Sequence, residues 1–335
     1  MRDQWIFMKL KKFGGKKNRC LDLKEGTMQA NIFPFYPQPR TSFKFDTKII
    51  EIIIICIVTA CTFIIILPGI RGKSRSIWLF RILTSLFIGA VILAVNFTSD
   101  WETGIVTATT VYKSFSHSML NASIGLWIGL KGVNITLIGN PVYQLNETIN
   151  YNEEFAWESA NQFDKNYKDG LERGLPYPIL YVAEKFTINS PCGLFQQYCI
   201  STYYSSEIMW VAFGSWILYN VLFSMPVILY GICMMFVTAI CMLVSLISFA
   251  SVRQAPVCNI HFGNAVLKTH FGVSYWLSLV TGLFCLIVSL VLLFLYKTQP
   301  KVIRLIFSYG EEEDLSDKSE NEEEHSSALS LNEML

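Results

Sequence analysis

Few residues in this sequence have the type and spacing that metal or haem chemistry needs. A haem held within a membrane needs histidines on spanning helices, and a zinc site needs histidine, cysteine or carboxylate ligands at close spacing. The histidines are His117, His261, His270 and His325, and none lies inside a long apolar segment. Because neither pattern occurs, we predict no metal site, no cofactor and no catalytic residue, and therefore a protein that is not an enzyme.

One short string resembles a phosphate-binding loop but lacks its first glycine. Residues 68–74 read Pro-Gly-Ile-Arg-Gly-Lys-Ser, and the glycine that the loop would need at position 67 is replaced by Leu67. The string also joins two apolar segments rather than a strand and a helix. It is interpreted as a basic turn between two membrane helices, so no small-molecule substrate is predicted.

Composition points to the lipid bilayer and away from nucleic acids. Of the 335 residues, 52% are apolar and only 16% are charged, whereas soluble domains carry about a quarter charged residues. The net charge of +1 excludes a chain that binds nucleic acid through bulk charge. Nine cysteines are too few for a disulfide scaffold in a chain of this length.

Apolar segments predict five membrane-spanning helices. Three segments are each long enough to reach the ~18 to 20 residues that cross a bilayer as a helix. A fourth, residues 208–252, contains no charged residue and no histidine. As one helix it would be roughly 68 Å long, about twice the hydrocarbon thickness, so we predict two spans with a turn near Pro226 to Gly231. The predicted spans are residues 49–70, 76–97, 207–228, 229–252 and 274–296.

Basic residues and sequons set the predicted orientation. Arg71, Lys73 and Arg75 lie between the first two spans, and such basic connections mark the cytoplasmic side. The N-terminal segment is also basic and favours the opposite orientation, which would however place four glycosylation sequons in the cytosol. The predicted parts outside the spans are an outer N-terminal segment at 1–48 (with 1–27 an extension), an outer domain at 98–206, an outer loop at 253–273 and a cytoplasmic acidic tail at 297–335.

The outer domain is predicted to combine strands with helices. Residues 132–137 alternate apolar and polar side chains, and 104–112 and 122–130 have strand-like composition, while Gly139-Asn140-Pro141 ends the first of these strands. A helical stripe is formed by Phe155, Phe163, Tyr167 and Leu171, with Glu153 and Glu154 at its start. The pattern predicts a small β-sandwich that carries helices.

Four sequons fall at or within the outer domain. Asn121, Asn134 and Asn146 are predicted glycosylation sites, whereas Asn96 is expected to lie too close to the lipid for modification. Asn134 is favoured because its strand neighbours point to the opposite face.

Three cysteines lie on the predicted outer side. Cys192 with Cys258 would join the outer domain to the second outer loop, and Cys192 with Cys199 would close a small ring. The first pairing is favoured, the second stays open, and either leaves one thiol for a partner.

The spans contain few polar groups. Glu51 and Arg81 lie near the ends of their helices and are expected to reach toward the lipid head groups, which argues against a transporter. Asn220 is expected to bond a neighbouring or a partner helix. Small residues on the second span, Gly89, Ala90 and Ala94, would allow a partner helix to approach closely.

Longer strings resemble the dual oxidase maturation factor family over residues 33–304. They are ILPGIRG at 66–72, LTSLFIGA at 83–90, GVNITL at 132–137, QLNETI at 144–149, YNEEF at 151–155, AEKFT at 183–187 and SPCGL at 190–194. Residues 35–40, FYPQPR, are more similar to the second of the two family paralogues. Cys192 and Cys258 match the loop cysteines of the family.

The resemblance implies a fold and a function. It implies five spans, an outer N-terminus, a cytoplasmic C-terminus and a claudin-like extracellular β-sandwich between spans two and three. It also implies a partner, a dual oxidase, which such proteins bind in the endoplasmic reticulum and accompany to the plasma membrane, where the oxidase makes hydrogen peroxide. The alternative is a claudin-like adhesion or barrier protein, since residues 125–127, Gly-Leu-Trp, are similar to a claudin string.

Overall fold

A computed structural model describes residues 47–66, 75–114, 116–157, 160–225, 227–254 and 258–299. Residues 1–46, 67–74 and 300–335, which hold most of the N-terminal segment, the basic turn and most of the acidic tail, lie outside these ranges. Seven α-helices lie within them: α1 (Thr47–Ile66), α2 (Arg75–Phe97), α3 (Ala160–Glu172), α4 (Tyr177–Lys185), α5 (Leu194–Phe223), α6 (Ile228–Ala250) and α7 (Val273–Thr298). Five of them, α1, α2, α5, α6 and α7, are long and apolar enough to cross a membrane, which confirms the prediction of five spans.

The long apolar segment breaks into two helices between Phe223 and Ile228. Its first helix, α5, begins at Leu194, well before the predicted boundary at residue 207. With 30 residues, α5 is roughly 45 Å long and exceeds a bilayer core of about 30 Å. Its first turns therefore extend beyond the membrane and into the neighbouring domain.

An antiparallel sheet follows α2, as predicted. Its strands are β1 (Glu102–Val111), β2 (Met119–Ile128), β3 (Gly132–Gln144), β4 (Glu147–Ala156) and the short β7 (His270–Phe271), in the order β4-β3-β2-β1-β7. A separate hairpin joins β5 (Ile260–Phe262) to β6 (Ala265–Leu267). We call residues 98–193 and 258–272 together the sheet domain.

Alternation along the strands divides the sheet into a packed face and an open face. Val133, Ile135 and Leu137 of β3 are fully buried on the packed face, and the alternate residues of β2 are buried with them. Helix α4 covers this face with Ile179 and Val182. Apolar burial on one face is the main force that holds such a sheet together.

Two local predictions for this domain were wrong. Glu153, Glu154 and Phe155 belong to β4, and the helix begins only at Ala160. Phe155 is buried because it continues the strand alternation from Tyr151, although its distance from Phe163 also fits a helical repeat. In addition, β3 does not end at Gly139 but continues to Gln144 after a register shift between Ile138 and Tyr143.

Candidate partner-binding domain and its attachment to the helices

The sheet domain has an aromatic centre that includes the start of α5. Trp157, which follows β4, stacks on Phe163 of α3 with ring centroids 5.7 Å apart and on Tyr198 of α5 at 6.3 Å. Phe186 and Phe195 complete the cluster at 5.9 and 5.7 Å from Trp157. One cluster therefore joins the sheet, the small helices and a membrane span, so no flexible linker separates the domain from α5.

A second anchor joins the sheet domain to three other spans. Trp101, just before β1, is fully buried and donates its indole N–H to the carbonyl oxygen of Val95 in α2 at 2.8 Å. Its ring lies 5.0 Å from Phe249 of α6 and 6.4 Å from Tyr275 of α7. The orientation of the sheet domain relative to the helices is fixed by these contacts.

A buried carboxylate lies between the two anchors. Glu102, the first residue of β1, is 1% exposed and accepts a hydrogen bond of 2.9 Å from the Tyr198 hydroxyl. Buried charges in proteins are normally paired or hydrogen-bonded, because an isolated one costs several kcal/mol. This bond adds a polar and directional contact to the aromatic ones.

The disulfide joins Cys192 to Cys258, with Cα atoms 5.6 Å apart. It connects the segment before α5 to the loop before α7, and the alternative pairing of Cys192 with Cys199 is therefore wrong. Cys199 is itself disulfide-bonded, so the expectation that one of these three thiols is left for a partner is wrong as well. Strand β7 links the same loop to β1, since Phe271 pairs with Glu102. The second outer loop is thus part of the sheet domain.

The end of the sheet domain that is remote from the membrane spans contains a polar network. The buried Tyr112 hydroxyl donates to Glu147 Oε2 at 2.6 Å and lies 2.8 Å from the Tyr151 hydroxyl, while Lys113 forms an ion pair of 3.2 Å with Glu147. Burial raises the pKa of Tyr112 well above its usual value, and the bonds to Glu147 and Tyr151 raise it further. The network ties β1 to β4 across the packed face.

The four sequon asparagines have different surroundings. Asn121 and Asn146 are exposed, and Asn134 is half-buried with its Oδ1 enclosed and without a hydrogen-bond partner among the described residues. Asn96 is 2% exposed and its Oδ1 accepts a hydrogen bond from Ser206 at 2.8 Å.

Polar residues of the spans hold the helices of this chain to one another. Arg81 does not simply extend toward head groups, because it donates to the carbonyl oxygen of Phe223 at 3.3 Å. Asn220 accepts a hydrogen bond from the Ser85 hydroxyl. A Cβ atom at Gly89 would overlap the indole of Trp216, so this small residue receives a side chain of α5 rather than a partner helix.

No group of three or more histidine, cysteine or acidic side chains is placed to hold a metal ion within the described ranges. Sequence reasoning did not identify Trp101, Trp157 or the Glu102–Tyr198 bond. The buried residues Ile149, Tyr151, Phe155 and Trp157 follow the period of two that is typical of a strand. This pattern, which continues from β4 to the next residue, could have identified Trp157 as a member of the aromatic cluster.

Comparison with known proteins covers both the sheet domain and all five long helices. A family model described as dual oxidase maturation factor matches residues 35–311. The chain belongs to this family. This chain is 90% identical over 308 residues to dual oxidase maturation factor 1 of Xenopus laevis, and the match covers 92% of this chain and 100% of that protein.

Human relatives in the dual oxidase maturation factor family are more distant. Factor 1 of Homo sapiens is 49% identical, over 85% of this chain and 83% of that protein, and human factor 2 is 44% identical, over 84% and 88%. The similarity of residues 35–40 to the second paralogue is thus not matched by the chain as a whole. These relatives are named as maturation factors and not as enzymes.

Proposed function

We propose that this protein binds a dual oxidase in the endoplasmic reticulum membrane, is required for its maturation and transport to the plasma membrane, and so supports hydrogen peroxide production. The observation that carries the proposal is the family match over residues 35–311, which includes the sheet domain and every long helix. The oxidase performs the electron transfer, and this chain contributes binding surfaces.

The proposed orientation places the sheet domain in the lumen and later outside the cell. The sequons at Asn121, Asn134 and Asn146 and the Cys192–Cys258 disulfide lie in the sheet domain, and disulfides form in oxidising compartments. The N-terminus is then outside and the C-terminal tail is cytoplasmic.

The geometry favours a rigid binding module over a tethered one. Because the Trp157 cluster and the Trp101 anchor fix the sheet domain on the spans, a partner could contact the domain and the membrane helices at the same time. A partner that is itself a large membrane enzyme would fit such a combined surface. Pre-organised surfaces bind with a smaller loss of conformational entropy.

Co-expression in cells that lack both proteins tests the proposal. With the full-length chain present, we expect a dual oxidase to acquire mature glycans, reach the cell surface, release peroxide outside and co-purify with the chain. An empty vector is the control. Equal surface oxidase and equal peroxide with and without the chain would contradict the proposal.

The alternative function, claudin-like adhesion, predicts a different topology. Proteins of that type have four spans and inner termini, whereas five helices here are long and apolar enough to span a membrane. An epitope tag at the N-terminus, detected on intact cells, should bind antibody without permeabilisation. Detection only after permeabilisation would favour the adhesion protein.

Glycosylation is proposed at Asn121, Asn134 and Asn146, with Asn96 unmodified. The exposed positions of Asn121 and Asn146 and the strand position of Asn134 support this assignment. Each Asn→Gln variant at these three positions should lose one glycan on a gel, and Asn96→Gln should keep the wild-type mobility. A mobility change for Asn96→Gln would contradict the assignment.

A further inference from the structure

Large apolar side chains are exposed toward the end of the sheet domain that is remote from the membrane spans. This end is defined by Val111 and Met119, where β1 and β2 meet, and by Leu145 between β3 and β4. The side chains are between 43% and 64% exposed. They form what we call the distal apolar patch: Met119, Ile138, Val142, Tyr143 and Leu145.

The patch lies in the half of the sheet domain that is farther from the membrane spans. Strand β1 starts shortly after α2 and has 10 residues, so at about 3.3 Å per residue its far end lies roughly 30 Å along the strand from the spans. Ile138 lies about halfway, because it pairs with Ser123, which pairs with Thr107 in the middle of β1. The patch also contributes little to the packed core, since its members point to the open face or to the hairpin end. Soluble surfaces rarely leave several large apolar side chains together in water, because such patches promote association.

Both exposed sequon asparagines lie among these side chains. Asn121 follows Met119 by two residues on the same face of β2. Ile138 pairs with Ser123, the third residue of that sequon, so it is a diagonal neighbour of Asn121. Asn121 and Ile138 therefore lie on the same, open face of the sheet.

The second sequon has the same arrangement. Asn146 directly follows Leu145, and Tyr143 pairs with Thr148, the third residue of the sequon. Leu145 and Asn146 both have positive φ, at 54° and 59°. Asparagine tolerates this conformation, whereas leucine rarely adopts it, so the turn displays an apolar side chain at a position where local structure favours glycine or asparagine.

We propose that N-glycans on Asn121 and Asn146 lie over the distal apolar patch and shield it from water and from other apolar surfaces. The inference rests on the lumenal orientation and the glycosylation given under the proposed function. N-glycans are bulky and solubilising, and each of these two would be attached directly beside two members of the patch. By covering this apolar surface, the glycans then keep the domain soluble.

Sequon-removing and sequon-preserving substitutions at the same positions test the first step. Ser123→Ala and Thr148→Ala remove the acceptor sequons and leave both asparagines in place, whereas Ser123→Thr and Thr148→Ser preserve the sequons. The full-length chain is expressed in animal cells, extracted in detergent and separated by size. We expect the double alanine variant to lose monodisperse protein several-fold, and the double control to match wild type.

Removing the patch itself tests the second step. Ile138→Thr with Tyr143→Thr keeps residues suited to strands and should restore monodisperse protein in the unglycosylated double variant. Failure to restore it would overturn the shielding role, and so would a double alanine variant that stays monodisperse although its glycans are lost.

The same experiment separates this inference from the proposed function. If the wild-type chain has no glycan at either site, the shielding inference fails, whereas the lumenal orientation is judged separately by the epitope tag at the N-terminus. If the patch substitutions in the glycosylated chain abolish co-purification of a dual oxidase, the patch is a partner contact, and the shielding inference fails while the proposed function stands. Unchanged co-purification supports shielding.

Discussion

The sheet domain and the helix bundle are packed by different interactions. The domain buries large aromatic and aliphatic side chains, with Trp157 in contact with rings from α3 and α5. Between α5 and α6, by contrast, hydroxyl groups meet, as in the bond of 2.7 Å between Ser205 and Ser245 and the bond of 2.8 Å between Ser215 and Thr238.

The difference follows from the two solvents. In water, burying apolar surface is itself favourable. In lipid, an apolar side chain gains little by leaving the acyl chains, so close fit and hydrogen bonds hold helices together. The two regions meet at the first turns of α5, where Tyr198 belongs to the aromatic cluster and, four residues later, Thr202 bonds its carbonyl oxygen at 2.7 Å.

The largest effect should come from the aromatic centre of the sheet domain. Trp157→Ala removes the ring that joins four others, and loss of such a core side chain costs about 3 to 5 kcal/mol. We expect a much lower midpoint of thermal unfolding, followed by tryptophan fluorescence of the full-length protein in detergent. The matched control is Trp210→Ala, since Trp210 is 41% exposed on α5; an equal loss in both variants would refute the assigned role of Trp157.

Close fit in the bundle can be tested at Gly89. Gly89→Ala places a methyl group on the indole of Trp216, and overpacking of this kind costs about 1 to 3 kcal/mol. The control is Gly214→Ala on α5, where a methyl group meets no atom within 4 Å. Thermal stability should fall only in the first variant, and Trp216→Leu should relieve the clash in the double variant. Equal stability of the two single variants would contradict the packing of Trp216 against Gly89.

The polar network at the remote end of the sheet domain should give a smaller effect that depends on pH. Tyr112→Phe removes hydrogen bonds worth about 1 kcal/mol near pH 8. Since the pKa of Tyr112 is raised in the folded protein, the unfolded chain releases this proton first, above pH about 10, and the folded state then loses stability. The stability advantage of wild type over Tyr112→Phe should shrink as pH rises above about 10. An advantage that stays constant would show that Tyr112 does not titrate differently in the two states.

Regular periodicity made most of the fold predictable, and competing periodicities explain where prediction failed. Four long apolar segments, one of them long enough for two spans, predict five helices because a continuous apolar segment in lipid must satisfy its backbone hydrogen bonds internally. The position of Phe155 in the sequence fits both a strand repeat and a helical repeat. Only pairing with the neighbouring strand β3 decides that it belongs to a strand. The start of α5 was missed because Leu194 to Ser206 contains many polar residues, and burial of Tyr198 against the sheet domain depends on long-range contacts. The anchors at Trp101 and Trp157 were missed for the same reason.

The smallest effect is expected for a hydroxyl pair in the bundle. Ser205→Ala removes the bond to Ser245, and such bonds between membrane helices are worth about 0.6 kcal/mol on average. A double-mutant cycle with Ser245→Ala, measured as unfolding in lipid–detergent bicelles, should give a coupling energy near that value. Because the other hydroxyl bonds between α5 and α6 remain, each single variant should still assemble. A coupling energy as large as the loss expected for Trp157→Ala would mean that hydroxyl pairs and aromatic rings stabilise the two regions equally, and the contrast between them would disappear.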